Sequence, residues 1–276
     1  MVLGPRQARS WLFTPADRPE RYPRPDRPGA DAVVLDLEDA VAPGRKAFAR
    51  DRLTRRGAVD TPVWVRINDR TSEHWRDDLE AVAGLPALLG VMLPMAQHAE
   101  HVSATAALLP AGTPVVALVE TSLGIENAFA IAQAEATFAL AFGVADFRRE
   151  TGMGDAPEAW AYPRTRLVIA SRAAGLRGPI DGPAMHLDDL AAVRAEADAS
   201  RAGGFTGKLC VHPAQTAAVN AAYSPTPEQL AWARRVLDQA AHSEGAAVRV
   251  DGEMIDRPRL EYARDLLEFA DVAGGA

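Results

Sequence analysis

Four short apolar runs, each ending in charged or amide side chains, constrain this chain more than any other feature of its sequence. They are Val33-Val34-Leu35-Asp36-Leu37-Glu38-Asp39, Val63-Trp64-Val65-Arg66-Ile67-Asn68, Val115-Val116-Ala117-Leu118-Val119-Glu120-Thr121 and Phe142-Gly143-Val144-Ala145-Asp146. Each is short, rich in β-branched residues and bounded by Gly, Pro or a helix-like stretch, the pattern of a parallel strand buried on both faces. Charges at the carboxyl ends of such strands converge where α/β barrels keep their active sites. The pattern predicts an enzyme.

Strands are expected at residues 9–15, 32–39, 63–68, 90–94, 114–121 and 138–146, with weaker ones at or just before 184–187 and at 207–212. Ala-, Leu- and Arg-rich stretches at 103–109, 125–135, 163–175 and 187–202 alternate with them as helices. About eight β-then-α units favour a (β/α)8 TIM barrel over an open sheet. Prolines at Pro19, Pro23, Pro25 and Pro28 bar a regular helix from the stretch after the first strand. Residues 1–222 are assigned to the barrel and 223–276 to a C-terminal extension, helical at 228–242, extended at 246–251 and helical again at 254–270. The extension lies beyond the eight units and is expected to pack on a neighbouring protomer. No Gly- or Ser-rich linker splits the chain, which reads as a single domain overall.

Composition narrows the function. The 276 residues are 48% hydrophobic with a net charge of −7, enough for one large core and an argument against nucleic acid as the main partner. No apolar run approaches the roughly 20 residues of a membrane span and no signal-peptide core opens the chain, so a soluble, cytoplasmic protein is expected. The single cysteine, Cys210, sits between Leu209 and Val211 and reads as a small buried hydrophobe. Glycine-rich dinucleotide or phosphate loops, an HExxH pair and a GxSxG elbow are all missing, which weighs against nucleotide, zinc and serine-esterase chemistry.

Three groups of residues carry chemical meaning. Glu120 and Asp146 end what read as adjacent strands, about 4.8 Å apart, so the two carboxylates can share one divalent cation; Mg²⁺ suits such oxygen donors. Spacing alone is equally compatible with two solvated loop carboxylates. Arg66 ends the third strand, where a guanidinium must be paired or functional; its fork suits an oxo acid's carboxylate, or an internal salt bridge with Asp36 or Glu38. Asp36 and Glu38 share one face of the second strand and are expected to orient Arg66 and metal-bound water, while Asp39 suits loop capping. His212 ends the eighth strand and is expected to hydrogen-bond in the barrel mouth.

Several segments together resemble the citrate lyase β-subunit-like (acyl-CoA lyase) family, within the aldolases related to it. They are residues 9–15, 29–41, 65–68 and 119–121, Gly207-Lys208-Leu209-Cys210-Val211-His212-Pro213, and Gly252-Glu253-Met254-Ile255-Asp256. The resemblance runs from Arg9 to about residue 270 in the same order. It implies a Mg²⁺-dependent barrel, usually trimeric, that splits a short 3-hydroxyacyl-CoA such as citryl-CoA or malyl-CoA into acetyl-CoA and an oxo acid, with an acyl-carrier protein as a possible partner. On that basis Glu120 and Asp146 are metal ligands and Arg66 grips the substrate. Phe13, Arg18, Arg24 and Lys46 fall at positions for CoA, and Asp256 is a general acid or base delivered by the tail to a neighbour's thioester; a helix cap is the other role open to Asp256. The chain departs from the family's usual pattern at Pro15-Ala16, at Leu93-Pro94-Met95, where relatives carry a lysine, and at Phe147-Arg148-Arg149-Glu150. An aldolase of free 4-hydroxy-2-oxo acids, a malyl-CoA thioesterase and a partner-dependent non-catalytic subunit remain open alternatives.

Overall fold

A computed structural model describes residues 7–23, 29–55, 59–241 and 248–274. Arg24 lies outside these. Eight strands close a parallel barrel in chain order: β1 Ser10–Pro15, β2 Ala32–Asp36, β3 Val63–Arg66, β4 Leu88–Leu93, β5 Val115–Val119, β6 Thr137–Phe142, β7 Ile180–Asp181 and β8 Gly207–Cys210, with β8 pairing back to β1. The intervening helices are α1 Lys46–Thr54, α2 Trp75–Ala83, α3 Ala99–Ala106, α4 Ser122–Glu126, α5 Ala128–Gln133, α6 Val144–Thr151, α7 Pro157–Ala173, α8 Leu190–Ala202 and α9 Gln215–Tyr223. The fold is a (β/α)8 TIM barrel. Among the described residues no helix is long and apolar enough to cross a membrane.

One strand of the barrel differs from the sequence expectation. The sixth strand stops at Phe142 rather than running to Asp146, and Val144–Thr151 is helix α6, which puts Asp146 in the first turn of a helix. Phe147 turns inward from that helix and its ring packs 5.4 Å from Phe142, while Arg148 and Arg149 face outward; this helical period overrides the apolar start of the segment. The seventh strand is only Ile180–Asp181, just before 184–187, one of the two positions expected for it.

Side chains alternate into the barrel from every strand. Trp11, Val34, Trp64, Met92, Val116, Leu118, Ala139, Ala141, Ile180 and Leu209 form one buried cluster. The tryptophans fill its lower layers, with ring centroids 5.2 Å apart, and small residues opposite make room for them. Gly90 on β4 has no alternative, because a Cβ there would lie 2.4 Å from Trp64 Cζ3. Residues of the opposite phase face the helices. There Lys208 on β8 donates to Asp181 on β7 over 2.9 Å, and Arg164 of α7 reaches the other Asp181 oxygen at 3.0 Å. Both Lys208 and Asp181 are buried.

The chain forms two compact units, one of them residues 8–222. In the other, α10 (Pro227–Ala241), a two-stranded hairpin of β9 (Val248–Val250) and β10 (Glu253–Ile255), and α11 (Arg257–Gly274) enclose a small core of Ala233, Val236, Ile255, Ala263 and Leu266. Asp251 and Gly252 turn the hairpin with φ of 51° and 88°, as an Asp-Gly type I′ turn requires. Met254, expected at the start of a helix, lies in β10 instead, because its strand pairs with Arg249.

A buried ion pair stripped of one partner leaves an uncompensated charge. Asp181→Ala is therefore expected to lower unfolding stability by about 3–5 kcal/mol, read from urea denaturation. A loss below about 1 kcal/mol would show that Arg164 and Lys208 do not depend on this carboxylate.

Candidate active site

The barrel's carboxyl end gathers Asp36 and Glu38 from β2 and its loop, Arg66 from β3, Glu120 after β5 and Asp146 from α6. Arg66 is the hub. Its Nε and Nη2 donate to the two oxygens of Asp36 at 2.8 and 2.5 Å, a bidentate fork, and Nη1 lies 2.8 Å from Glu38 Oε2. The Phe13 ring lies beneath the guanidinium, 4.3 Å from Cζ, so Phe13 supports Arg66 by a cation–π contact from inside the barrel. Burial disfavours the guanidinium charge, but Asp36 and Glu38 more than restore it and raise the pKa above its ordinary value. Asp36 is fully buried and also accepts from the backbone N–H of Glu38 and Ala40, so it shapes the β2 loop and Arg66 at once.

Glu120 is buried and its orientation is set by backbone. The Met95 N–H donates to Oε1 at 2.7 Å. On the other side, Gly143 leaves the space Oε2 occupies: a Cβ at 143 would lie 2.1 Å from that oxygen. Glu150 accepts from Ser122 N at 2.6 Å and pins the loop that follows Glu120.

Negative charge is concentrated here. Burial, and then repulsion from Glu38 and Asp146, pushes Glu120 up to about 8. Burial and repulsion from Asp39, Asp36 and Asp146 bring Glu38 to about 7, against the attraction of Arg66. Among the described residues no three His, Cys, Asp or Glu side chains meet in a metal-ligand cluster. A cation at Glu120 and Asp146 would thus have two carboxylate ligands and leave its other positions to water and substrate oxygens, the habit of Mg²⁺ rather than of zinc. The carboxylate oxygens and their mutual repulsion fit such an ion, and the missing side chain at Gly143 makes room for the Glu120 carboxylate. Asp146 pairs with Arg149 at 2.9 Å, an exposed contact one helical turn away.

Other residues singled out in the sequence lie elsewhere. Lys46 is buried and donates to Leu37 O, Glu38 O and Asn68 Oδ1 within 2.8 Å, so all three of its hydrogens are committed inside the protein as a strut behind the β2 loop. Its expected CoA contact is replaced by this internal role. Arg18 is exposed beside buried Asp17, which also accepts from Arg45 at 2.6 Å. His212 is exposed, and its ring accepts from Ala214 N. The neighbouring Gln215, missed by sequence reasoning, ties the β7 and β8 loops together through Ala184 O, His186 O, Val211 N and His212 N. Asp256 belongs to the C-terminal unit, where Oδ1 accepts from Arg259 N as the cap of α11.

Residues 9–213 match the HpcH/HpaI aldolase/citrate lyase family. A citrate lyase subunit beta-like protein of Mycobacterium tuberculosis is 40% identical over 277 residues, spanning 95% of this chain and 96% of that protein. A (3S)-malyl-CoA thioesterase of Cereibacter sphaeroides is 33% identical over 276 residues, spanning 95% and 94%. Among solved structures, protein CitE from Mycobacterium tuberculosis in complex with magnesium, acetoacetate and coenzyme A superimposes with a TM-score of 0.81 at 36% identity, covering 96% of this chain and 99% of that one.

The raised carboxyls make a pH prediction. Between the ordinary value near 4.5 and about 8, the folded protein holds a proton on Glu120 that the unfolded chain has lost, so this site's contribution to stability falls as pH rises. Because a ligand must be deprotonated, Mg²⁺ is expected to raise the melting temperature more at about pH 8 than at about pH 6. The same Mg²⁺ effect at both pH values, or an unchanged effect in Glu120→Gln, would contradict this.

Proposed function

This chain belongs to the HpcH/HpaI aldolase/citrate lyase family, and we propose that it is a Mg²⁺-dependent carbon–carbon lyase acting on a short 3-hydroxyacyl-CoA thioester. The observation that carries the reading is the convergence of a buried guanidinium and three mutually repelling carboxyls, Glu38, Glu120 and Asp146, at the carboxyl end of one barrel. The CitE structure with magnesium, acetoacetate and coenzyme A supports the ligand classes.

Each residue has a distinct task. Glu120 and Asp146 hold Mg²⁺, which when bound acts as a Lewis acid on the oxygen that becomes the oxo acid's carbonyl. Arg66 presents the hydrogens not committed to Asp36 to the substrate carboxylate, and Asp36 keeps the guanidinium from turning. Glu38, near neutrality, takes the hydroxyl proton. The electrons of that O–H bond form the carbonyl, the C–C bond breaks, and its electron pair leaves on the thioester's α-carbon as an enolate. Asp256 of a neighbouring protomer protonates this carbon, giving acetyl-CoA and an oxo acid. Arg18 and Arg45, both about half exposed, supply positive charge for the phosphates of CoA. Thioester hydrolysis is the second reading, favoured by the malyl-CoA thioesterase among the relatives.

Incubation with malyl-CoA or citryl-CoA and Mg²⁺, with product analysis, tests this. Acetyl-CoA and oxo acid in equal amounts is the expected result; free CoA with malate or citrate would select the hydrolase. Losing the metal ligand in Glu120→Gln removes several kcal/mol of transition-state stabilisation, so turnover is expected to fall about a thousandfold. Activity that survives this change or a chelator would eliminate the metal reading. Mixing Asp256→Asn protomers with Glu120→Gln protomers is expected to restore part of the activity, since mixed assemblies then contain intact composite sites. No recovery after exchange of protomers would place Asp256 outside catalysis or in its own protomer's site.

A further inference from the structure

The β2–β3 ladder ends on a side chain in place of a backbone group. Leu37 N donates to Arg66 O at 2.9 Å, and a continued parallel ladder would bring the Asn68 N–H to the Leu37 carbonyl. Asn68 N instead donates to Asp78 Oδ2 at 2.8 Å, in the first turn of α2. The Asn68 side chain takes over the open position, its Nδ2 donating to Leu37 O at 3.1 Å. The two strands therefore part at the barrel's mouth without leaving that carbonyl unsatisfied. The residue that follows it is Glu38.

Asn68 suits this place because its amide is neutral and presents donors on one side and an acceptor on the other. Asp78 is fully buried and, as a carboxylate, offers only acceptors; Lys46, also buried, offers only donors. The amide accordingly turns its NH2 to Asp78 Oδ2 at 2.6 Å and its Oδ1 to Lys46 Nζ at 2.7 Å. Lys46 donates its other two hydrogens to Leu37 O and Glu38 O, each at 2.8 Å. Arg50 Nη1, 2.9 Å from Asp78 Oδ1, balances the buried carboxylate from α1. These contacts run from α1 and α2 to the peptide groups on both sides of Glu38, whose own carboxylate lies 2.8 Å from Arg66 Nη1.

We infer that Asn68 is a positioning residue: by taking a backbone amide's place on the Leu37 carbonyl, and by orienting Lys46 over the Leu37 and Glu38 carbonyls, it fixes the peptides that flank Glu38 and so aims that carboxylate at the substrate hydroxyl. The inference rests on the reading of Glu38 as the proton acceptor of a lyase reaction. Asn68 itself touches no reacting atom, so its effect on turnover passes through Glu38. A merely structural Asn68 would lower the melting temperature and cut activity by the same factor whether or not residue 38 carries a carboxylate.

The test is a double-mutant cycle on the full chain with Mg²⁺ and whichever of malyl-CoA and citryl-CoA the wild type cleaves, with melting temperature recorded in parallel. Misplacing a reacting group by about 1 Å costs about a hundredfold, so Asn68→Ala is expected to lower kcat about a hundredfold. KM is expected to change little, because the thioester's own contacts are kept. In a Glu38→Gln background, which already lacks the carboxylate, Asn68→Ala is expected to have little further effect. Lys46→Met removes the other hold on the same two carbonyls; it is expected to show the same dependence on Glu38, and carries the test if Asn68→Ala does not fold. Wild-type kcat in Asn68→Ala, or equal losses in the two Glu38 backgrounds, would overturn the inference while leaving Glu38 as the proton acceptor. Wild-type kcat in Glu38→Gln would instead remove that role, and this inference with it. No oxo acid from the wild type would remove the lyase reading itself.

Discussion

The buried pair of Arg66 and Asp36 is the constraint on which the site depends. A guanidinium at the mouth of a closed barrel has lost most of its water, and only a matched acceptor keeps it charged and fixed. Asp36 provides that acceptor through both oxygens and commits its remaining capacity to the backbone of the following loop. One carboxylate therefore sets the direction of Arg66, the path of the chain to Glu38 and the place where Lys46 must enter from behind. Such a pair contributes less to net stability than to geometry, because desolvation offsets much of its attraction.

Around that fixed cation the protein accumulates more negative charge than Arg66 can neutralise. Glu38 and Glu120 are both driven toward neutral pH by burial and by neighbouring carboxylates. An arrangement with titrating carboxyls next to an immobile guanidinium suits proton transfer and cation binding together. Its rigidity comes from backbone as much as from side chains. Met95 offers Glu120 an amide from a left-handed peptide, and Gly143 offers it a space. Strain and excess charge sit together at this rim, while the core cluster that holds Trp11 and Trp64 is built of apolar residues.

Much of the fold was legible in the sequence because its cause is local. Runs such as Val115–Val119 are apolar on both faces, and only a parallel strand covered by helices accommodates them. Where expectation and structure part, local patterns competed. Val144-Ala145-Asp146 continues an apolar run, yet it begins a helix once Phe147 is considered with it. Lys46 resembles a ligand-facing cation in sequence, but three backbone and amide oxygens lie within its reach and draw it inward. Asp256 caps a helix in its own unit, as its neighbours Arg257 and Pro258 suggest, a role that can coexist with catalysis.

The amino-acid sequence by itself determined the alternation of strand and helix, the charges at strand ends and the family. Those follow from side-chain period, burial and residue order, which are properties of neighbours along the chain. Tertiary structure alone decided which charges meet. Whether Arg66 faces Asp36, whether Glu120 finds a void at Gly143, and whether Met95 turns left-handed to donate to Glu120 depend on the register of strands that lie far apart in sequence. Barrel closure sets that register for all eight strands together, and no local stretch of residues encodes it.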